Sequence, residues 1–233
     1  MQLEARAVLF DLDDTLYSLE QFLMSGFCAI AAHVEATWGH SAERALAVLT
    51  AAFATDRGRE IDVLAEHFVL PAGAVPQLLD LMRGHVPRLG LSRRTVAVLT
   101  AMRADWRIGV VTNGRADIQA RKVAALGLAP LVDTIVLAAE HGTGAGKPEA
   151  APFLAACLAL GVPPARTVFV GDDLRCDIAG AGAVGMKTIW LPTTLVARPG
   201  PAGACADLIL ASLADVPLAA GRLMASRWSA HVA

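Results

Sequence analysis

The chain has 233 residues, 55% of them apolar and 18% charged, with a formal net charge of −2. That is enough apolar material for one large domain or a domain with an insert, and it excludes a generally disordered chain. A pI of about 6.3 leaves no basic footprint for a nucleic-acid polymer.

The mean hydropathy is +0.50. The longest uncharged stretch, Ala150–Ala165, is nevertheless broken by Pro152, Pro163 and Pro164, whereas a spanning helix needs about 20 consecutive apolar residues. A soluble protein is expected. The first residues, MQLEARAVLF, lack a basic segment followed by a long apolar one, so no secretory leader is expected. Cys28, Cys157, Cys176 and Cys205 are scattered and form no CxxC pair. This argues against a zinc knuckle or a disulfide framework and fits a reducing cytosol. The cations are 17 Arg and only three Lys, at 122, 147 and 187, so each lysine is somewhat informative.

In chain order, Ala7–Phe10 reads as a buried strand that runs straight into Asp11, Asp13 and Asp14. Three carboxylates within four positions disfavour one another's ionisation, so their grouping demands a reason. Helical periodicity follows over Leu19–Thr37, Ser41–Ala54, Arg59–Val69 and Ala74–His85. Ser41 is the expected N-cap of the second helix, and Gly58, Pro71, Gly73, Pro87 and Gly90 punctuate the stretch. Short strands then alternate with helices. Strands are expected at Ile108–Thr112, Thr134–Leu137, Thr167–Val170, Thr188–Leu191 and Leu208–Leu210. Helices are expected at Arg115–Leu126, Glu149–Leu160 and near Asp177–Val184.

Continuous apolar strands alternating with helices predict an α/β fold, a parallel sheet with helices on both faces. Residues 17–90 form a helical insert between the first strand and the rest of the core, 1–16 and 91–233. No internal repeat or low-complexity tract is present. The tail after Gly221, with Arg222, Arg227, Trp228 and His231, suggests no function.

In an open α/β sheet, ligands bind beyond the carboxyl ends of the strands. There the sequence places Asp11 and Asp13, Thr112-Asn113-Gly114, and Gly171-Asp172-Asp173 with Asp177 close behind, while Lys147 precedes Pro148 at a helix start. Several carboxylates, a threonine and a lysine suit a hard divalent cation and a phosphate. Mg²⁺ takes one or two carboxylates plus phosphate oxygens, and it would offset the repulsion among the aspartates. Gly142–Lys147 imitates a phosphate-cradling P-loop, but that pattern needs Gly at 141 and Ser or Thr at 148, where the chain has His141 and Pro148.

FDLDDT, VVTNG, GKP and VGDDLRCDI, in this order and spacing, resemble the four motifs of the haloacid dehalogenase-like (HAD) hydrolases. The match runs from about Val8 to Leu191, and the insert resembles the α-helical cap of the subfamily I members. The resemblance implies a Rossmann-like core and a Mg²⁺-dependent phosphatase acting on small phosphate monoesters, possible substrates being nucleotide or sugar phosphates.

It further implies Asp11 as the nucleophile that becomes an aspartyl-phosphate and Asp13 as general acid/base. Thr112 with the backbone of Leu12, Asn113 and Gly114 would bind phosphate, and Lys147 would orient Asp11 and offset phosphoryl charge. The metal would be held by Asp11, the Asp13 carbonyl and Asp172. Asp177 would support Lys147 or a metal-bound water. Asp173 is read either as part of the metal surroundings or as a partner of a backbone amide.

Plainer roles are expected elsewhere. Asp14 and Thr15 are read as caps of the first insert helix. His33, His67 and His85 are read as packed or solvated, Phe22 as core, and Arg57 and Arg59 as an exposed charge run. Tyr17 is a possible substrate-facing residue, and Arg175 a possible shaper of the site entrance. The linkers Tyr17–Ser18 and Val86–Leu91 would be hinges for cap closure. Three rival readings stand beside the phosphatase. A 2-haloacid dehalogenase needs neither metal nor the acid at 13; a phosphomutase shares the catalytic set; a silent binding protein would keep the fold alone. The sequence does not fix the oligomeric state.

Overall fold

The structure, a computed structural model, describes residues 5–193 and 205–225. The chain forms two compact units, one from residues 1–18 with 90–233 and the other from 19–89.

The first unit is built on six parallel strands: β1 Ala7–Phe10, β2 Arg107–Thr112, β3 Thr134–Leu137, β4 Thr167–Gly171, β5 Lys187–Trp190 and β6 Leu208–Ile209. Their order across the sheet is β3-β2-β1-β4-β5-β6. Val8 pairs with Ile108 on one side and Val168 on the other, so β1 lies in the middle. From β1 the chain first builds outward through β2 and β3, then returns to β1's other side for β4, β5 and β6. The order therefore reverses at β1, and such a switch point opens a crevice beyond the strand ends.

All four β1 residues are fully buried. Alternate side chains on a strand point to opposite faces, so both faces of the sheet are covered. On one face Leu9, Val111 and Phe169 pack with Phe153 and Ala156 of helix α7, Ala150–Leu160. The Phe153 and Phe169 rings meet edge to face at 5.0 Å.

The second unit contains α1 Leu19–Trp38, α2 Ala42–Thr55, α3 Glu60–Phe68 and α4 Ala74–Gly84. Phe27, Ile30, Val34, Leu49, Leu64 and Leu78 form its own core. Ser41 caps α2 as expected, its Oγ accepting from Arg44 N at 3.3 Å. The expected plain roles of the insert histidines agree with their surroundings. His85 donates from Nδ1 to the Met82 carbonyl at 2.7 Å and its ring lies 4.8 Å from Phe22, His33 bonds Gln77, and His67 meets the Phe68 ring. Arg59 pairs with Asp56 and Glu66, and Arg57 lies over the Phe53 ring.

Two helices were not expected. Helix α5, Arg93–Met102, buries Thr95, Val98, Leu99 and Met102 and is capped by Ser92. Helix α9, Val216–Ala225, buries only Val216 and two alanines, a weak apolar signal. Helix α6, Ala116–Ala125, follows β2 as expected. The helix expected near 177–184 begins earlier, as a π-helical turn over Leu174–Ala179 that continues into α8, Gly180–Ala183. Arg222 lies in α9, whereas Arg227, Trp228 and His231 lie outside the described residues. All four cysteines are free, and no described helix is long and apolar enough to cross a membrane.

Candidate active site

The carboxyl ends of β1, β2 and β4 bring the acidic and polar groups together. Asp11 follows β1 directly, its backbone N–H donating to Val170 of β4 at 2.9 Å. Thr112 ends β2, and Gly171 ends β4 just before Asp172.

Lys147 stands at the centre, 3% exposed. Its Nζ donates to Asp11 Oδ1 at 2.5 Å, Asp177 Oδ1 at 2.7 Å and the Val111 carbonyl at 2.9 Å. Phe169 lies beneath it, the ring centroid 5.3 Å from Nζ. Burial alone would lower the lysine's pKa, but the two carboxylates outweigh burial and raise it, which favours the charged ammonium. Asp11 is held well above the ordinary carboxylate range, by burial first and then by the charges of Asp177 and Asp13; Lys147 only partly opposes this.

Asn113 secures the lysine's backbone. Its Oδ1 accepts from Lys147 N at 2.7 Å and its Nδ2 donates to the Lys147 carbonyl at 2.8 Å. The Asn113 side chain is thereby spent, which leaves backbone N–H groups as the donors this loop can offer a ligand. Gly114 turns the loop at φ +117°, a conformation open to glycine. A Cβ there would come within 2.7 Å of Gln119 Nε2.

Asp177 is 1% exposed, with Oδ1 on Lys147 and Oδ2 accepting from Asp173 N at 3.1 Å. It touches the lysine directly. A Cβ on Gly171 would come within 2.3 Å of Asp177 Oδ2, so only glycine lets the carboxylate lie against the strand end. Asp173 accepts from the amides of Arg175 and Cys176 at 2.8 and 2.7 Å and so caps the π-helical turn. Of its two expected roles, the structure supplies the backbone-amide one. Arg175 is exposed.

Oxygens of Asp11, Asp172 and Asp177 lie within 4.8 Å of one another. The Asp172 carboxyl is pushed up to about 7, by burial first and then by the charges of Asp177 and Asp14. The Thr112 Oγ1, fully buried, has no hydrogen-bond partner among the described residues. A buried hydroxyl without a partner costs about 1–3 kcal/mol, so this one has a hydrogen bond to offer.

Helix α1 starts at Leu19, and the buried Thr15 Oγ1 is without a partner among the described residues, so Thr15 does not cap it through its side chain. Asp14 takes a positive φ of 57° in the turn after β1, where an Asp is tolerated. Tyr17 donates its hydroxyl to Asp13 Oδ1 at 2.6 Å.

Sequence reasoning missed a second lysine. Lys122 on α6 donates to both Asp13 oxygens, at 2.8 and 2.9 Å. Gln119, one turn earlier, donates to Asp13 Oδ2 at 3.1 Å and to the Asn113 carbonyl at 2.7 Å. The scarcity of lysine in the chain was the one signal that pointed to it.

The model of the haloacid dehalogenase-like hydrolases matches residues 5–185. A phosphoserine phosphatase of Thermus thermophilus is 34% identical over 119 residues, 51% of this chain and 46% of that protein. The chain thus spans about half the length of this relative. A glyceraldehyde 3-phosphate phosphatase of Methanopyrus kandleri is 31% identical over 196 residues, 79% of this chain and 82% of that protein. Among solved structures, an HAD phosphatase from Thermococcus onnurineus superposes with a TM-score of 0.60 at 25% identity, covering 93% of this chain and 98% of that one. A 2-haloacid dehalogenase from Pseudomonas syringae gives the same TM-score of 0.60 at 26% identity, covering 97% and 100%. With the family model spanning most of its length, and the sheet order, strand-end acids and buried lysine in place, the chain belongs to the haloacid dehalogenase-like hydrolases.

Proposed function

We propose that this chain is a Mg²⁺-dependent phosphatase that hydrolyses small phosphate monoesters through an aspartyl-phosphate on Asp11. The carrying observation is the contact of Asp11 Oδ1 with the buried Lys147 ammonium at 2.5 Å; the Thr112 hydroxyl, without a partner among the described residues, adds a group for phosphate. The curated relatives named above are phosphatases of small phosphate esters, which supports phosphate-ester hydrolysis as the reaction class.

In this reading Lys147 fixes Asp11 through Oδ1 and leaves its other oxygen to attack phosphorus. The ammonium, the Thr112 hydroxyl and the backbone N–H groups of Leu12, Asn113 and Gly114 hold the phosphoryl oxygens. Preorganised charge of this kind carries most of phosphoryl-transfer catalysis. As the P–O ester bond breaks, Asp13 gives its proton to the leaving oxygen, and it later takes one from the water that hydrolyses the aspartyl-phosphate. Asp177 holds Lys147 from the side opposite the substrate.

The donor set is all oxygen, which suits Mg²⁺, and among the described residues the Asp172 carboxyl lacks the lysine contact that Asp11 and Asp13 have. Asp11, Asp172 and the Asp13 carbonyl would hold the ion. When bound, Mg²⁺ supplies positive charge to the phosphoryl group and to the clustered carboxylates. The free thiols fit a reducing cytosol.

The test is phosphate release from p-nitrophenyl phosphate, with Mg²⁺ and with chelator, for the natural chain and for Asp11→Asn. Turnover that needs Mg²⁺ and disappears in the variant is expected. Turnover surviving in Asp11→Asn refutes the nucleophile. Chloride release from 2-chloropropionate with no phosphatase activity would establish the dehalogenase instead.

A further inference from the structure

Lys122 is an expensive residue to have on α6. Its side chain is 4% exposed, and its carboxylate partner Asp13 is 22% exposed. Burying an ammonium costs several kcal/mol, and replacing a buried ion pair by apolar side chains is often neutral or stabilising. Stability alone gives a helix of this sheet no reason to carry a buried lysine.

Two hydrogen bonds of Lys122 converge on one group. The lysine spans both Asp13 oxygens, at 2.8 and 2.9 Å. Gln119 holds Oδ2 at 3.1 Å while its Nε2 also reaches the Asn113 carbonyl at 2.7 Å, so it ties Asp13 to the loop after β2. Tyr17 holds Oδ1 at 2.6 Å. Three donors from two directions thus fix a short side chain that would otherwise choose among rotamers.

We propose that Lys122, seconded by Gln119, is a positioning residue that aims the Asp13 carboxyl at the leaving oxygen of the substrate. The inference rests on the phosphatase reading. In the first step an Asp11 oxygen forms a bond to phosphorus, the P–O ester bond breaks with its electron pair going to the leaving oxygen, and that oxygen takes the Asp13 proton. Because Lys122 reaches both oxygens, it keeps hold of Asp13 through the unprotonated one whichever oxygen carries the proton. Proton transfer by a placed group contributes about 10²–10⁴-fold, and misplacement by about 1 Å forfeits much of such an effect.

A merely structural lysine and a positioning lysine differ in how their loss depends on the leaving group. The experiment measures kcat/KM with Mg²⁺ for 2,4-dinitrophenyl, phenyl and ethyl phosphate, using the full chain, Lys122→Met, Lys122→Arg and Gln119→Leu. Dinitrophenolate leaves without a proton, whereas ethoxide needs one. Lys122→Met is expected to lose about 100-fold on ethyl phosphate and less than about 3-fold on dinitrophenyl phosphate. Gln119→Leu should show the same trend more weakly, and Lys122→Arg, whose fork also spans a carboxylate, should restore ethyl phosphate turnover to within about tenfold of the natural chain. A loss equal across the series, or no loss, overturns the proposal. If Lys122→Met does not fold, as judged by its melting curve, the other two variants decide by the same criterion. A natural chain that cleaves none of the three esters sinks the phosphatase reading and this inference with it. Turnover by the natural chain with a flat variant series sinks the inference alone.

Discussion

Lys147→Met would strand two buried carboxylates at once. The ammonium reaches Asp11 at 2.5 Å and Asp177 at 2.7 Å, and these residues are 7% and 1% exposed. Breaking a buried pair from one side costs about 3–5 kcal/mol. For a chain of this size each kcal/mol moves Tm by about 2–4 °C, so a fall of about 10 °C or more is expected.

The fall should depend on pH, and the sign follows from the shifts. Lys147 is raised above its ordinary value. Its contribution in the natural chain is therefore fully present through neutral pH and is lost only as pH climbs into the strongly alkaline range. In the variant, Asp11 loses the ammonium that had opposed the upward push of burial, so it takes up a proton more readily and the penalty shrinks as pH falls. Melting curves in chelator, for both proteins between pH 5 and pH 8, should therefore show the widest gap at pH 8. Adding Asp177→Asn to the variant should narrow that gap, since one stranded charge is removed. A gap below about 2 °C at pH 8, where about 10 °C is expected, would refute the reasoning. So would a gap that does not change with pH.

Two other outcomes are expected. With its carboxyl pushed up to about 7, Asp172 must lose a proton to bind a cation, so calorimetric Mg²⁺ affinity should fall by up to about tenfold per pH unit below about 7; affinity constant from pH 5 to 8 would exclude Asp172 as a ligand. Thr112→Val removes a buried hydroxyl that has no partner among the described residues, so Tm should hold within about 3 °C while orthovanadate binding weakens about tenfold; undiminished vanadate binding would take Thr112 out of the phosphate site.

What the sequence disclosed was what is local. The acids and the threonine follow their strands within a few residues, and buried parallel strands read plainly as apolar runs. Lys147 stood out through its scarcity and the Pro148 beside it. Helix α5 was legible in principle, since Thr95, Val98, Leu99 and Met102 are spaced for one helical face. Its first buried position is a threonine whose hydroxyl donates to the Leu16 carbonyl at 3.1 Å, 79 residues away, and no local pattern announces such a partner. Lys122 escaped for the same reason: its partner Asp13 lies 109 residues earlier. The early start of the π-helical turn follows from Asp173 capping two amides, where the sequence left its role between amide and metal.

The clustered aspartates after β1 can now be explained by charge. Asp11, Asp13, Asp172 and Asp177 bring four carboxyls to the strand ends, and Lys147 and Lys122 bring two ammoniums. Lys147 serves Asp11 and Asp177, and Lys122 serves Asp13. Asp11, Asp13 and Asp177 thus each have a lysine partner, which narrows the sequence-based argument that a cation offsets the repulsion among the aspartates. Asp172 is the group left over. It has no ion pair among the described residues, and its carboxyl is displaced to about 7 by burial and then by the charges of Asp177 and Asp14. With all four ionised the cluster holds an excess of two negative charges, which is the charge a single Mg²⁺ ion carries. Among these carboxyls, Asp172 therefore makes the strongest case for a cation. Asp172→Ala should abolish Mg²⁺ binding in calorimetry while leaving the Lys147 and Lys122 ion pairs, and with them Tm in chelator, intact or slightly improved. Retained Mg²⁺ affinity in that variant would show that the ion is held by the acids the lysines already serve.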